Sequence, residues 1–296
     1  MDLVEQNFAT MSAVHLHNMT VEETVQADRN LGMKFHFSEG TWWREVKPFF
    51  YQPAIVTARL KPGISSPSPW SALGGYYHMV PDGTESNGAI VANEISDPVA
   101  YDLQSLKRKR NKILRALGTF RIQPVADLQD LLSTGYDIYL DWERRIRNVQ
   151  TKRSDPEAFR RWISRVFAHP YGMILGAYAG ERLAAFMTVY ATEGVANSSK
   201  TFSHSDFSQQ TPSSALVYAF IKIASNNPQI RRVWDGLRHT NPSLQRFKAE
   251  MGFELISYPA YIRLRAGIRP IVRWCFPAEY RRLMGEYGDQ LRPSAA

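Results

Sequence analysis

Asp235 and Lys248 are the residues whose types and setting most readily do chemistry. Asp235 follows the apolar pair Val233-Trp234 and precedes Gly236, so it reads as a carboxylate at the tip of a buried strand, beside a turn. Lys248 falls in a segment that reads as a helix. Asn241 is its cap and Pro242 its first residue, Leu244, Phe247 and Met251 share a face, and Gly252 is the stop. A carboxylate at a strand's end, a helix N-terminus and a fixed lysine would then converge on one sheet edge, where ligands bind in open mixed or parallel sheets. A carboxylate there can take a proton, and a fixed ammonium can place its charge on a phosphate, a carboxylate or a developing oxyanion. The plainer alternatives are a turn aspartate bonded to its own backbone and a surface lysine on an amphipathic helix.

Other candidates are secondary. Thr201 to Phe207 reads as a strand on which His204 and Asp206 share a face, making His204 a candidate base and Asp206, with Tyr190, a candidate for substrate contact. Ser213 and Ser214, at the start of a helix opened by Thr211-Pro212, could present donors to a phosphate, as could the helix start at Asn241. Yet Ser208 to Ser214 holds no glycine, and Pro212 removes one N–H. There is no P-loop, dinucleotide fingerprint, Gly-x-Ser-x-Gly elbow or His-Glu-x-x-His, and no metal site is expected. The single cysteine, Cys275, excludes an internal disulfide and a cysteine-based zinc cage.

The elements that must position these groups follow from periodicity. Before residue 103 the readings are an aromatic-dense stretch from Thr41 to Tyr51, then strands over Ala54 to Leu60, Ala72 to Val80 and Gly88 to Asn93. Residues 1–35 are polar with few strong signals. Leu103 to Leu117 reads as a helix capped by Asp102 and ended by Gly118, carrying Lys107, Arg108, Lys109, Arg110, Lys112 and Arg115. So many like charges repel unless something anionic faces them, although a solvated face is the commoner explanation. Helices follow over Asp127 to Arg147 and after Ser154-Asp155-Pro156. Strands come next over Met173 to Ala179, Leu183 to Ala191 and Thr201 to Phe207, then a helix, a strand over Arg231 to Asp235, the Asn241 helix and Phe253 to Arg265.

The order of these elements, with Asp-Gly after the strand, Phe247-Lys248 in the helix and Gly252-Phe253 after it, resembles the GNAT acyltransferase superfamily and, within it, the Fem-type branch. The resemblance covers about residues 105–265. It implies an α/β (α+β) GNAT fold, a central mixed sheet flanked by helices, with room for two GNAT-like halves. The division expected is residues 1–103, residues 104–267 as the acyltransferase domain, and a basic tail 268–296 that could lie on an anionic membrane or RNA, or pack back. The resemblance also implies an acyl donor, with a splayed fourth strand supplying backbone donors to the carbonyl. The leading donor is acyl-CoA as a co-substrate, with no tightly bound cofactor. The second is charged tRNA, as in Fem-type enzymes. The third reading is an inactive GNAT fold used as a binding module, motivated by the missing glycines.

Composition bounds the rest. With 44% hydrophobic residues the chain can build real cores, and its formal charge of +8 suits an anionic partner. The start lacks a signal-peptide pattern and no long apolar run exists, so the cytoplasm is the default expectation. The sequence names neither the amine acceptor nor the oligomeric state.

Overall fold

The computed structural model describes residues 2–63, 67–106, 109–146, 154–239, 241–275 and 277–284. Of the residues singled out above, Lys107, Arg108, Arg147 and the tail beyond residue 284 lie outside them. In chain order the first elements are α1 (Leu3–Ala13), β1 (Asn18–Met19), α2 (Val21–Asn30), β2 (Phe35–Ser38), β3 (Thr41–Lys47), β4 (Phe50–Pro53), β5 (Gly75–Met79), β6 (Gly88–Ile95), α3 (Arg110–Thr119) and β7 (Arg121–Pro124). They are followed by α4 (Leu128–Leu132), α5 (Thr134–Arg145), α6 (Pro156–Phe167), β8 (Met173–Ala179), β9 (Arg182–Thr192), β10 (Val195–Ser203), α7 (Pro212–Ser225), β11 (Arg232–Leu237), α8 (Pro242–Glu250), β12 (Glu254–Leu264), α9 (Ile268–Cys275) and α10 (Pro277–Met284).

The chain forms two compact units, each built from discontinuous segments: residues 1–20 with 93–254, and residues 21–92 with 255–296. The sequence divides at 103 and 267; the contacts divide it within β6 and at the start of β12 instead.

In the first unit β7, β8, β9 and β10 form an antiparallel meander, and β10 then pairs in parallel with β11. One face of this sheet packs on α7, α3 and α1, which enclose Leu175, Ala177, Met187, Val189, Ala196 and Val233. The other face packs on α4, α5 and α6 through Phe186, Phe202, Tyr139 and Phe159. Period-two alternation along β9 makes this division, with Phe186 on one side and Met187 on the other. Asp155 caps α6 and Pro156 opens it, as the sequence implies.

The second unit repeats the pattern. Its β2, β3 and β4 are antiparallel, β4 pairs in parallel with β5, and β5 pairs antiparallel with β12. Trp43, Tyr51 and Tyr76 are fully buried at its centre, so part of the aromatic-dense stretch is core, while Phe49 stays exposed.

Several elements differ from the sequence reading. The strand expected over Ala54 to Leu60 is β4, ending at Pro53; Ala54 to Ala58 is a turn closed by Ala58 N–H on Ile55 O at 2.9 Å. The helix expected from Leu103 begins as one 3-10 turn, Leu103–Ser105, and Asp102 makes no side-chain cap; α3 starts only at Arg110. The Asp127 helix is broken at Ser133, whose backbone leaves the helical region. Residues 1–35, read as nearly signal-free, hold two helices.

Candidate functional site

The chain places the expected pair in one spot. β11 delivers Asp235 at its far end, with Val233 and Trp234 buried before it. Gly236 continues the strand at φ +69°, a conformation glycine adopts without strain. The Asn241 side chain caps α8 by accepting from the N–H groups of Ser243 at 2.9 Å and Leu244 at 3.4 Å, with Pro242 first in the helix. Of the apolar stripe that spacing implies on α8, Phe247 and Met251 pack on the core and Leu244 does not. Leu244 faces solvent, while Gln245, Lys248 and Met251 point in.

Lys248 is 6% exposed. Its Nζ donates to the main-chain oxygen of Asp235 and lies 3.5 Å from the Asp235 carboxylate. Ser198 Oγ donates to the other carboxylate oxygen. A buried ammonium left alone is expensive, so this partner is what permits the burial.

The same point is where two strands part. β10 pairs with β11 only through Val195, Ala196 and Asn197, opposite Arg232, Val233 and Trp234. Its register against β9 then shifts between Ser198 and Lys200, and β10 runs on to Ser203 beside β9 alone. A bulge re-aims backbone and ends pairing. Beyond Asn197, therefore, the β11 side of β10 carries backbone groups that β11 does not meet. The splayed strand implied by the resemblance is present, but it is Val195–Ser203, displaced from the expected Thr201 to Phe207.

A second layer holds β11 and α8. Asn93, fully buried at the end of β6, donates to the carbonyls of Gly236 at 3.3 Å and Leu237 at 3.1 Å, and accepts from Gln245 Nε2 at 2.6 Å. Glu94, 3% exposed, accepts from Trp234 Nε1 at 2.6 Å and from Ser96 Oγ at 2.9 Å, with Arg232 at 3.9 Å. Sequence reasoning missed Ser198, Asn93, Glu94 and Gln245. The available signal was the polar pair Asn93-Glu94 closing an apolar strand.

The other candidates fall elsewhere. His204 and Asp206 do not share a strand face, because His204 caps a 3-10 turn over Ser205–Gln210. His204 Nδ1 accepts from the Asp206 N–H at 3.2 Å and lies 3.3 Å from its carboxylate, while Asp206 pairs with Arg182 at 3.3 Å. Six strand residues beyond Ser198, this cluster is about 20 Å from the Asp235–Lys248 pair. Tyr190 stands opposite Asn197, at the height of the pair but on the other sheet face, sharing the parity of Phe186 while Asp235 shares that of Val233. Ser213 and Ser214 begin α7 after Thr211, which is left-handed at φ +55°. Ser214 is 1% exposed.

Lys109, from the basic run, turns inward: it is buried, pairs with Glu250 at 3.0 Å and lies 5.0 Å from the Phe247 ring centre. Arg110, Lys112 and Arg115 remain on the exposed side of α3.

Residues 103–235 match the family model described as an acetyltransferase (GNAT) domain. No curated protein matches the chain. Among solved structures, FemX superposes with a TM-score of 0.55 at 8% identity, over 92% of this chain and 98% of that one. A C-terminal DUF2156 domain from Agrobacterium fabrum, assigned to a lysylphosphatidylglycerol synthetase, gives a TM-score of 0.54 at 12% identity, over 90% and 97%. A conserved protein of unknown function from Bacteroides thetaiotaomicron gives 0.50 at 12%, over 89% and 98%. At these identities the likeness is one of fold.

Proposed function

From the premise that the chain carries a GNAT acetyltransferase domain at residues 103–235 within a Fem-like fold, we propose that it transfers an aminoacyl or acyl group to an amine at the point where β10 and β11 part. The observation that carries this is the Lys248 ammonium, held on the main-chain oxygen of Asp235 at that opening. An ammonium has three N–H donors. One bonds the main-chain oxygen of Asp235; another serves the carbonyl oxygen as it gains charge, together with backbone N–H groups of the unpaired side of β10. Asp235 orients the incoming ammonium and takes its first proton, which passes on to solvent. The neutral amine then forms the C–N bond, the bond from the carbonyl carbon to the leaving group breaks, and the second nitrogen proton ends on the leaving group.

For the donor, a charged tRNA is better supported than acyl-CoA. A pyrophosphate cradle needs several free N–H groups in one turn. Here the Thr211 N–H bonds Ser208 O at 3.3 Å, the Ser214 N–H bonds Thr211 O at 3.0 Å, and Pro212 has none. The exposed cations of α3 supply a surface for phosphates instead.

The test is incubation with a pool of charged tRNAs and, separately, with acyl-CoAs, each beside an amine library. Product from charged tRNA is expected, with tRNA affinity falling steeply as salt rises and falling again when Arg110, Lys112 and Arg115 are changed to Gln. Product from acyl-CoA alone would overturn the donor but keep acyl transfer. Product from neither would favour a binding module.

A further inference from the structure

The second unit bears a surface that the transfer site does not use. At one end of its sheet, the turn between β3 and β4 carries Phe49, and Gly75 N–H bonds Phe49 O at 3.1 Å. Gly75 also pairs with Leu264, the last residue of β12, and Arg265 N–H bonds Gly74 O at 3.1 Å. The chain turns directly from there into α9, with Ile268 N–H on Arg265 O at 2.9 Å. The β3–β4 turn and the start of α9, far apart in sequence, thus meet at the same sheet end.

What they expose is unusual for a protein surface facing only water. Trp274 is 87% exposed, Trp70 59%, Ile271 56% and Phe49 41%. Phe49 and Trp70 form a tilted pair with ring centres 6.2 Å apart. Phe49 is held at φ +63°, in the left-handed region that bulky residues avoid. Arg265, bonded at this end, is exposed, and α9 that follows it carries exposed Arg269 and Arg273. On α9 the two latter arginines lie one turn apart, while Ile268, Ile271, Val272 and Cys275 follow the i, i+3, i+4, i+7 spacing.

We propose that this end of the second unit docks on an anionic phospholipid surface, with Trp274, Ile271, Trp70 and Phe49 entering the headgroup layer and the arginines meeting lipid phosphates. Aromatic side chains prefer that layer, and arginines beside them gain from its negative potential. The aliphatic Ile271 argues against RNA as the occupant, since bases stack on rings and phosphates bind cations, but neither uses a branched alkyl group. No helix among the described residues is long and apolar enough to cross a membrane, so the association is peripheral. The inference stands apart from the choice of donor.

Flotation of the full chain with vesicles of phosphatidylcholine, with and without phosphatidylglycerol, tests it. Binding is expected only to the vesicles containing phosphatidylglycerol. Arg273→Gln is expected to weaken it about fivefold, the equivalent of one surface arginine, and Trp274→Ser with Ile271→Ser about tenfold or more. Because these side chains are exposed, the variants should melt like the parent. Binding to neither vesicle, equal binding to both, or variants that lose tRNA affinity while floating as before would each overturn the proposal.

Discussion

At the scale of single residues, the proposed site rests on one ammonium–carboxylate pair near the end of β11. Removing the Lys248 charge with Lys248→Met takes away a donor fixed before reaction, and such donors are typically worth about 10²–10³ in kcat. Asp235→Asn keeps the Ser198 contact in shape but loses proton acceptance, for an expected loss of about 10²-fold. His204→Gln and Asp206→Asn, far along β10, should leave the rate within about twofold, where a base normally contributes about 10²-fold or more. A steady-state comparison of the four variants checks this, and a His204→Gln loss as large as that of Lys248→Met would remove the pair from the centre of the chemistry. A second residue predicts pH dependence. His169 accepts the N–H groups of Tyr171 at 3.2 Å and Gly172 at 2.7 Å through Nδ1, and burial lowers its pKa below the ordinary histidine value. Burial lowers that of His78 in the same way. A lowered value means that the folded chain resists a proton which the unfolded chain accepts. The stabilisation is complete above the ordinary value of about 6.5 and is lost as pH falls from there through the folded value. Melting temperatures should therefore drop between about pH 7 and pH 5, and His169→Gln should flatten the drop without abolishing it, since His78 remains.

At the scale of elements, α1 shows why part of the fold was hidden. Its inward residues are Val4, Asn7, Phe8 and Met11, and the most deeply engaged of them is polar. Asn7 donates to Leu117 O at 2.7 Å and Phe120 O at 2.8 Å, and accepts from the Ile122 N–H at 2.7 Å, fixing the corner between α3 and β7. Val4, Phe8 and Met11 do keep the i, i+4, i+7 spacing and Asp2 with Glu5 forms a capping box, so the helix could have been read; its asparagine anchor leaves no such pattern. Asn7→Ala would strand three buried backbone groups, at about 1–3 kcal/mol each before relaxation. An expected loss near 3 kcal/mol would appear as a lower urea midpoint with an unchanged slope; a shift under about 0.5 kcal/mol would put α1 outside the core. Other elements were legible because local chemistry and packing agree: Pro156 behind Asp155, Pro212 opening α7, Asn241-Pro242 opening α8. The strand expected over Ala54 to Leu60 failed because β-branched residues also populate turns, and Pro53 ends the ladder first. The cluster around His204 failed because a histidine that caps a turn carries the same letters as one on a strand. At the site, Asp235 and Lys248 were legible from strand-tip and cap signals. Ser198 and Asn93 were not, since a bulge and contacts between residues far apart in sequence leave no local pattern.

At the scale of the molecule, the two units are not two stretches of chain. The first takes residues 1–20 and, past the intervening 21–92, residues 93–254, so the segment matching the GNAT family, 103–235, is only part of that unit. The N-terminal segment is sewn in at many points. β1 pairs in parallel with β9, Asn18 Oδ1 accepts the Gly194 N–H at 2.8 Å, and Asn226 and Asn227 donate to Met11 O at 2.6 Å and Leu16 O at 3.0 Å. Met11, Leu16 and Met19 are 2%, 1% and 1% exposed. Burying such side chains is worth about 1.5–3 kcal/mol each, so the three together approach the whole stability of a typical domain, about 5–15 kcal/mol. A chain starting at residue 21 should therefore lose its cooperative melt or aggregate, because the grooves on α7 and β9 stay open. Supplying residues 1–20 as a separate peptide should restore a cooperative transition that moves up with peptide concentration, as mass action requires of a segment that binds the folded form only. A sharp, peptide-independent melt of the shortened chain at the parent's temperature would show that α1 and β1 decorate the unit instead of completing it, and that the slot between β10 and β11 is built without them.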